Sequence, residues 1–438
     1  MAYYLKEGQP HTTLPALEVR ESVSQMIEAI ELRGEAAIRE YSEQLDGWNP
    51  PSFRLEESAI EQACEQVEGE LRQYIEMAAQ QIRQFAEAQL ASLQPLEVEV
   101  GQGTVLGHRH IPIDSVGAYI PGGRYRLISS ALMSILTAKT AGVRRVVAMS
   151  APSGGKNIHP PTLYAMRLAG ADEIYALGGV QAMAAMAFGA LNGLAPVDML
   201  VGAGNDYVAE AKRQLFGRVG IDLLAGPTEI LIIADESARP HVVAVDLLGQ
   251  AEHGPTSPAV LVTTSERLGS MILAEVASLL RDWPTAEVTR MAWQQYGMVV
   301  VAENNDEAVT LSDAFAPEHL ELQVDNAAWF EQRLTNYGSL FVGEETTVPF
   351  GDKVVGTNHT LPTARAARYT GGLWVGKFLK TVTYQRLSGE ASQRMAHAAR
   401  AISMAEGMLG HAISAETRLN MDQYPRAREV ISPPYSEE

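Results

Sequence analysis

The residues best suited to chemistry in this 438-residue chain are a few histidines with carboxyl or amide side chains close by. Gln250 and His253 stand three positions apart at the end of an apolar helical run, a spacing that places both on one helix face. Two metal ligands would suit this spacing, although such a pair in isolation is more often a surface or capping pair. Glu318 and His319 place a carboxyl group beside an imidazole, which suits proton transfer and water activation but is usually structural when it stands alone.

Two further segments carry candidate groups. The polar, glycine-punctuated stretch of residues 350–362 contains Asp352 and His359, and loops on a rigid scaffold often carry functional side chains. Glu406 and His411 lie in a helical stretch near the C-terminus, where an isolated histidine is usually solvated. Each of these signals is weak by itself, so the elements that position them have to be considered together.

Short apolar runs alternate with amphipathic helical patterns from about residue 110 to residue 341, which predicts parallel strands covered by helices. The alternation occurs twice in halves of similar size. We therefore predict an α/β fold of two stacked Rossmann-like α/β/α domains with a cleft between them. The predicted strands are Val116–Ile120, Arg145–Met149, Glu173–Ala176, Met199–Val201, Ile230–Ala234, Ala259–Thr263 and Gly297–Val301.

Helical patterns flank this α/β region on both sides. Residues 16–95 are rich in Glu and Gln with apolar positions every three or four residues, and residues 391–409 are rich in Ala, Met and Arg. The second stretch predicts an arm that embraces another subunit, with a simple C-terminal cap nearly as plausible. The predicted division is a helical segment, two α/β domains and a helical arm, with bounds 1–100, 101–228, 229–380 and 381–438.

Composition narrows the classes of partner. The net charge of −19 argues against nucleic acid, which needs clustered Lys and Arg, but a small anionic substrate remains compatible with a locally positive pocket. Charged residues interrupt every long apolar stretch, so no membrane span is expected, and residues 1–9 lack a signal-peptide pattern. We therefore expect a cytoplasmic protein. The single cysteine, Cys64, fits a helical core pattern, so a metal site would use His, Asp, Glu and Gln.

Seven blocks together resemble the signatures of the histidinol dehydrogenase family, and they occur in the family's order over residues 20–418. The blocks are Val116-Gly-Ala-Tyr-Ile-Pro-Gly-Gly123, Gly178-Gly-Val-Gln-Ala182, Gly202-Ala-Gly-Asn205, Gly226-Pro-Thr-Glu229, Leu247-Leu-Gly-Gln-Ala-Glu-His-Gly-Pro255, Ala316-Pro-Glu-His-Leu320 and Gly356-Thr-Asn-His-Thr-Leu-Pro362.

The resemblance implies a zinc ion and an intertwined homodimer. The positions that match the family's zinc ligands are Gln250, His253, Asp352 and His411. In the family the last of these ligands comes from the neighbouring subunit, so His411, together with Glu406 and His359, would complete the partner's pocket. This ligand set contains no thiolate, in agreement with the single cysteine, and leaves positions for a substrate.

The resemblance also implies the reaction. Glu318 and His319 match the family's acid–base pair, which oxidises a primary alcohol through an aldehyde to an acid with two hydride transfers to NAD. The positions that match NAD-binding residues are Tyr119, Gln181 and Asn205. The chain has no G-x-G-x-x-G after its first strand, so the NAD assignment depends on the resemblance.

Departures from the biosynthetic members indicate a different substrate. Thr228 replaces a Ser, and Arg124 and Arg126 stand where those members carry small residues and Pro. An Arg suits a carboxylate or sulfonate and would repel the ammonium group of histidinol, although these two could instead be surface charges or contact the NAD pyrophosphate.

We therefore expect a member similar to the sulfopropanediol dehydrogenases, which oxidise 2,3-dihydroxypropane-1-sulfonate to sulfolactate. The substrate-binding positions would be Thr228, His319, Asp352, His359, Glu406, Arg124 and Arg126. The alternatives are histidinol dehydrogenase itself, a ligand-binding homologue that has lost catalysis, and a metal-free NAD reductase.

Overall fold

The computed structural model describes residues 1–9, 17–123, 125–154, 157–424 and 426. The chain forms two compact units. Unit 1 consists of Met1–Ser92 with Pro112–Leu379, and unit 2 consists of Leu93–Ile111 with the chain from Lys380 onward. Unit 1 thus contains the predicted helical segment up to Ser92 and the two α/β regions from Pro112 onward, whereas residues 93–111 belong to unit 2.

Strands and helices alternate through the middle of the chain, as the pattern of apolar runs predicted. The strands are β1 Tyr3–Lys6, β2 Leu96–Gly101, β3 Thr104–Pro112, β4 Ser115–Ile120, β5 Arg145–Ser150, β6 Glu173–Ala176, β7 Met199–Val201, β8 Gly220–Ile221, β9 Ile230–Ala234, β10 Ala259–Thr263, β11 Met298–Val301, β12 His319–Gln323, β13 Ser339–Val342 and β14 Leu379–Leu387. The helices are α1 Leu17–Arg33, α2 Glu35–Asp46, α3 Glu57–Glu65, α4 Gly69–Ala91, α5 Ile128–Thr140, α6 Pro160–Ala169, α7 Gly179–Phe188, α8 Asp206–Leu215, α9 Pro240–Ala251, α10 Glu266–Leu279, α11 Ala286–Tyr296, α12 Asn305–Phe315, α13 Ala327–Glu331, α14 Val348–Lys353, α15 Gly389–Ala405 and α16 Leu409–Thr417.

In the part of the chain that is described, two sheets form the frame of unit 1, and all their strands are parallel except β1 at the edge of the second sheet. The first sheet has five strands in the order β6-β5-β4-β7-β8. Strands β4 to β6 are added toward one edge and β7 and β8 toward the other, so the strand order reverses between β4 and β7. The second sheet has six strands in the order β1-β11-β10-β9-β12-β13, and its strand order reverses between β9 and β12. Each sheet therefore has a topological switch point, the place where open α/β sheets form a crevice.

The central strands of both sheets are buried on both faces. All five residues of β9 are buried, and the Ile-Leu-Ile-Ile-Ala run explains why: an apolar strand covered by helices on both sides has no solvent face to make polar. The helix that follows, α9, has Pro240 in its first turn, where the missing N–H costs nothing. Strand β9 and helix α9 position residues of the candidate site: Glu229 directly precedes β9, and Gln250 lies on α9.

Unit 2 combines a three-stranded sheet, in the order β14-β3-β2 with β2 and β3 antiparallel, with the helices α15 and α16. The predicted single helix over residues 391–409 is wrong in its extent, because the chain forms two helices there. Gly407 has φ 73° between them, a left-handed conformation that ends the first helix and suits glycine.

Strand β1 was not predicted. It pairs antiparallel with β11 at the edge of the second sheet, a long-range contact that no local pattern of four residues announces. Within the described residues no helix is both long enough and apolar enough to span a membrane.

Candidate active site

The candidate acid–base residues lie at the amino ends of the two strands that flank the switch point of the second sheet. Thr228 and Glu229 come directly before β9, and Glu318 comes directly before β12, which begins with His319. Strands β9 and β12 are parallel neighbours, with His319 opposite Ile230. Residues far apart in the chain therefore meet at one edge of the sheet.

A residue in the left-handed backbone conformation precedes Glu318 and His319 at this edge. Ala316 ends α12 with φ 53°, which is unusual for a residue that is not glycine. The turn lets the chain leave the helix and enter β12 within three residues. Such backbone strain is often stored at functional sites, and here it places Glu318 and His319.

Glu318 is buried and held by two donors. Its Oε2 accepts hydrogen bonds from Thr228 Oγ1 at 2.5 Å and from the Glu229 backbone N–H at 3.0 Å. Thr228 Oγ1 in turn accepts from Gln250 Nε2 at 2.5 Å. One hydrogen-bonded chain therefore joins the expected ligand Gln250 to the expected catalytic carboxylate.

His319 is fixed at one ring nitrogen and unpartnered at the other. Its Nδ1 lies 3.0 Å from the Glu229 carbonyl oxygen and 3.4 Å from Glu318 Oε2. Since a carbonyl oxygen can only accept, Nδ1 carries a proton. Nε2 is buried without a hydrogen-bond partner in the described structure and lies 3.5 Å from Asp352 Oδ1. Nε2 is therefore the nitrogen left for chemistry.

The electrostatic surroundings favour a charged His319. Burial alone would lower its pKa, but the carboxylates of Glu318 and Asp352 outweigh burial and raise that pKa well above the ordinary value. Burial and the negative charge of Glu318 also raise the pKa of Glu229 to about 8. Glu229 is therefore mainly protonated at neutral pH, and the carboxylates of Glu318 and Asp352 stabilise the imidazolium that forms when His319 takes up a proton.

The donors expected to hold a metal have suitable chemical forms. Burial lowers the pKa of His253 to about 4 against the opposing charge of Asp352, so its imidazole is neutral at pH 7. The pKa of Asp352 is lowered by His319 in spite of burial, so this carboxylate is ionised. The Nε2 of Gln250 donates a hydrogen bond to Thr228, so the amide oxygen is the atom of this side chain that could bind a metal. A neutral imidazole, a carboxylate and an amide oxygen fit a zinc ion.

These donors do not complete a metal site by themselves. Among the described residues no group of three or more His, Cys, Asp or Glu side chains is placed to hold a metal ion. Gln250 lies outside those residue types. His253 follows the end of α9 rather than lying within it, in a turn where its N–H donates to the Gln250 carbonyl oxygen at 3.3 Å.

His359 reaches the site from the loop after α14. Its Nε2 lies 2.8 Å from the hydroxyl of Ser130 on α5, and its backbone N–H points to the sulfur of Met133. Burial lowers the pKa of His359 to about 4, with Asp352 opposing. A neutral imidazole oriented by a serine can read the hydrogen-bonding groups of a substrate.

The loop after β4 also reaches the site. Tyr125 donates its hydroxyl hydrogen to the Glu252 carbonyl oxygen at 2.8 Å, and its ring centre lies 6.0 Å from that of His253. The carboxyl end of the first sheet therefore faces the amino end of the second sheet within unit 1. The loop after β4 thus lies beside His253, one of the expected metal ligands.

The expected NAD residues lie along the carboxyl edge of the first sheet. Tyr119 is the fifth residue of β4, and its hydroxyl accepts from the Gly179 N–H at 3.2 Å, where α7 begins. Gln181 is buried and donates to Asp46 at 3.1 Å. Asn205 follows β7 and caps α8 by accepting from the Val208 N–H at 3.1 Å. Tyr119 and Asn205 thus stand on either side of the switch point, where dinucleotides bind in open sheets.

A buried ion pair shapes the same edge. Lys212 pairs with Asp222, and both are buried. Lys212 Nζ donates to the Gly202 carbonyl oxygen at 2.9 Å, while Asp222 accepts from the Gly202 N–H at 2.8 Å. Gly202 has φ 122°, and a Cβ there would lie 2.2 Å from the Tyr119 carbonyl oxygen. The edge therefore requires glycine at this position.

Of the remaining predicted residues, two belong to unit 2, one belongs to unit 1 and one is outside the described residues. His411 is on α16 and Glu406 ends α15, so both belong to unit 2, and both are exposed. Arg126 is exposed in unit 1, and its charge acts on His159 at the start of α6. Arg124 lies outside the described residues.

Four contributors to the site were not predicted as site residues: Tyr125, Ser130, Glu229 and Lys353. Lys353 is exposed, and its ammonium group lies 3.8 Å from Asp352 Oδ2. Its charge also helps to lower the pKa values of His253 and His359. A lysine directly after Asp352 was a signal in the sequence, whereas Ser130 is recognisable only from the fold.

Comparison with known proteins identifies the family of this chain. A family model described as histidinol dehydrogenase matches residues 10–419. A histidinol dehydrogenase homolog of Shouchella clausii is 52% identical over 96% of this chain and 99% of its own length. The sulfopropanediol 3-dehydrogenase of Ruegeria pomeroyi is 45% identical over 95% of this chain and 96% of its own length.

A solved structure of the same family has the same fold. The crystal structure of histidinol dehydrogenase from Elizabethkingia anophelis superimposes with a TM-score of 0.88 at 33% identity and covers 95% of each chain. The fold and these matches define an oxidoreductase of the dehydrogenase class. The chain belongs to the histidinol dehydrogenase family.

Proposed function

We propose that the chain is a zinc- and NAD-dependent dehydrogenase that oxidises a small anionic primary alcohol through its aldehyde to the carboxylate. The substrate that we propose is 2,3-dihydroxypropane-1-sulfonate, with sulfolactate as the product. The observation that carries the proposal is His319, whose Nδ1 is engaged while Nε2 is buried and unpartnered among the described residues, beside Asp352.

The reaction balances as two oxidations. In the first, the C–H bond of the alcohol carbon breaks with hydride transfer to NAD, and the hydroxyl proton leaves, which gives the aldehyde. Water then adds to the aldehyde. The resulting hydrate loses a second hydride to a second NAD and a second proton, which gives the acid.

The protein groups have separate tasks in this sequence. In the neutral form of the His319 ring, Nε2 would accept the hydroxyl proton, and the carboxylates of Glu318 and Asp352 would stabilise the imidazolium that forms. Glu318, held at Oε2 by Thr228 and the Glu229 N–H, would assist the addition of water. NAD would take up the hydride at the edge formed by Tyr119, Gln181 and Asn205.

The residues that would hold zinc are Gln250, His253 and Asp352 of one subunit with His411 of the partner subunit. Zinc would hold and orient the substrate oxygen. The neutral imidazole of His253 and the ionised carboxylate of Asp352 support this assignment. A cytoplasmic location, where NAD is abundant, is part of the same proposal.

Lys353 supports an anionic substrate. Its ammonium group is exposed and close to Asp352, and its charge reaches both His253 and His359. We propose that Lys353, rather than Arg126, binds the sulfonate, because Lys353 adjoins Asp352 whereas the charge of Arg126 acts on His159 at the start of α6. The name of the relative from Ruegeria pomeroyi, sulfopropanediol 3-dehydrogenase, favours the same substrate.

Histidinol is the second candidate. Glu318, Asp352 and Glu229 form an acidic surrounding that would suit a cationic substrate. The solved histidinol dehydrogenase of Elizabethkingia anophelis shares the fold at 33% identity. Lys353 opposes this candidate, because it would repel an ammonium or imidazolium group.

A homodimer is part of the proposal. The apolar residues buried in unit 2, within its described part, include three alanines, Ala391, Ala396 and Ala412, and no larger ones. Its helices instead expose large apolar side chains such as Ile402 and Ile413. A unit with so small a core and so much exposed apolar surface fits an arm that embraces a second copy.

The test is the rate of NADH formation by the zinc-loaded full chain, offered dihydroxypropanesulfonate and histidinol separately. We expect turnover of the sulfonate, loss of activity in EDTA and recovery with added zinc. Lys353→Met should raise KM for the sulfonate about tenfold or more, since a charge-assisted hydrogen bond is lost. Arg126→Ala is the matched control and should leave KM unchanged. Turnover of histidinol alone would contradict the proposed substrate.

A further inference from the structure

We propose that Asp246 and Glu321, two carboxyl side chains outside the site described above, anchor the helix that carries Asp352 and thereby position this expected metal ligand. The inference depends on the proposed function for its consequence, but its structural part can be tested without metal. Asp246 lies on α9 and Glu321 on β12.

The two carboxyl groups hold the start of α14. Glu321 Oε1 accepts from the backbone N–H of Val348, the first residue of the helix, at 3.1 Å. Asp246 Oδ1 accepts from the hydroxyl of Thr347, the residue before the helix, at 3.0 Å. Thr347 does not cap its own helix with its side chain, so its hydroxyl is committed to Asp246. Gln323 donates to the other oxygen of Asp246 at 3.2 Å.

The same three elements carry the candidate site. Asp246 lies one helical turn before Gln250 on α9, and Glu321 lies two residues after His319 on β12, which puts both on one face of the strand. Asp352 lies four residues after Val348 on α14. The two carboxyl groups therefore link α9, β12 and α14, the elements that carry Gln250, His319 and Asp352. Neither carboxyl group belongs to the proposed set of catalytic residues and metal ligands.

The charges explain why an acid pair can serve as an anchor here. Burial and the facing charge of Asp246 raise the pKa of Glu321 to about 8, with the Val348 N–H and the charge of His319 acting in the opposite direction. Burial also raises the pKa of Asp246, while Thr347, Glu321 and Gln323 lower it. At neutral pH Glu321 is therefore mainly protonated, and an amide can replace a protonated carboxyl group.

This gives opposite expectations for two substitutions at one position. Glu321→Gln keeps an oxygen for the Val348 N–H and a donor for Asp246, so α14 should stay in place. Glu321→Ala removes both and leaves the helix start without its partner on β12. Positioning groups around a metal ligand typically change metal affinity about 10- to 100-fold when they are removed.

The experiment compares the full-length wild type, Glu321→Gln and Glu321→Ala by amide hydrogen exchange over residues 347–355 and by zinc titration against a chelating dye. We expect Glu321→Ala to exchange faster in this segment and to bind zinc about tenfold or more weakly. Glu321→Gln should match the wild type in both measurements. Glu210→Ala is the matched control, because Glu210 is a buried glutamate that bonds Arg213 and Gln214 on α8 and its immediate vicinity, away from α14.

Each outcome has a defined meaning. Unchanged exchange in Glu321→Ala, or equal damage in Glu321→Gln, would overturn the inference. If Glu210→Ala accelerates exchange over residues 347–355 to the same degree, the effect is general destabilisation and the inference is equally wrong. A wild type that binds no zinc would refute the proposed cofactor, while the exchange data would still decide whether the pair anchors α14.

Discussion

At the scale of single residues, the site is a chain of hydrogen bonds with one end left open. Gln250 donates to Thr228, Thr228 donates to Glu318, and the carbonyl oxygen of Glu229 holds His319 by Nδ1. His319 Nε2 remains buried and unpartnered in the described structure. Since a buried polar atom without a partner is costly, its retention marks it as the atom that meets the substrate.

His319→Gln removes the group that exchanges the proton. We expect kcat to fall about 10²- to 10⁴-fold, the usual contribution of a positioned acid or base, while KM for NAD stays unchanged. Steady-state kinetics with both substrates varied measures this. Thr228→Ser is the control, because a serine keeps the hydroxyl that bonds Glu318. A His319→Gln variant with an undiminished kcat would exclude His319 from the chemistry.

The raised pKa of Glu229 predicts that the stability of the folded protein depends on pH. Its pKa is raised from the ordinary 4.5 to about 8 in the folded protein, so the folded state binds the proton more tightly than the unfolded state. Its contribution to stability is therefore fully present below about pH 4.5 and is lost as the pH rises toward 8. Glu229→Gln has no such proton to lose.

The comparison of thermal midpoints tests this sign. We expect the Tm of Glu229→Gln to rise relative to that of the wild type as the pH is raised from about 5 to about 8. A difference in Tm that stays constant over this range would show that Glu229 is ionised in the folded protein at all these pH values.

At the scale of elements, the sequence predicted what local patterns determine. Strands β6, β7, β9 and β10 lie where the apolar runs placed them, since a buried parallel strand must be apolar throughout. Strand β1 was missed, because its pairing with β11 joins residues nearly three hundred positions apart. The division of the C-terminal helix at Gly407 was missed because the apolar pattern continues across it.

Residues of the site were predicted where a family signature named them and missed where only packing brings them in. Gln250, Glu318, His319 and Asp352 were named and lie together in unit 1. Ser130 comes to His359 from 229 positions away, a contact that no sequence pattern contains. Tyr125 was not predicted, because it stands in a segment whose arginines indicated an ionic role, whereas its own hydrogen bond is to the Glu252 carbonyl oxygen.

The edge between β4 and β7 gives an element-scale prediction. Gly202→Ala would place a Cβ 2.2 Å from the Tyr119 carbonyl oxygen at a φ of 122°, so β4 and β7 must move apart. We expect a lower Tm and a raised KM for NAD, with a smaller change in KM for the alcohol. Gly193→Ala, which meets nothing within 4 Å at a φ of 77°, controls for left-handed strain alone. Equal effects of the two variants would mean that the close approach to Tyr119 has no part in binding NAD.

At the scale of the whole molecule, the proposed site needs a residue from unit 2. His411 is exposed on α16, in a unit whose described part has little apolar core. In the proposed dimer each site combines unit 1 of one chain with His411 of the partner subunit. This arrangement is open to a complementation test.

Co-expression of His319→Gln and His411→Ala chains, each carrying a different tag, provides that test. Each variant alone should be nearly inactive. In the mixed dimer one site carries both substitutions and the other carries neither, so we expect about half of the wild-type activity in purified heterodimers. Inactive heterodimers would show that His411 serves its own chain, and a purified wild type that stays monomeric would contradict the dimer.

The most direct test of the account is the number of NADH molecules formed for each dihydroxypropanesulfonate molecule consumed to completion by the zinc-loaded wild type. Two hydride transfers at one site predict two NADH for each molecule of substrate, with sulfolactate as the product and no free aldehyde captured by a carbonyl reagent. One NADH with accumulation of the aldehyde would contradict the account, because Glu318 and His319 would then support only the first oxidation.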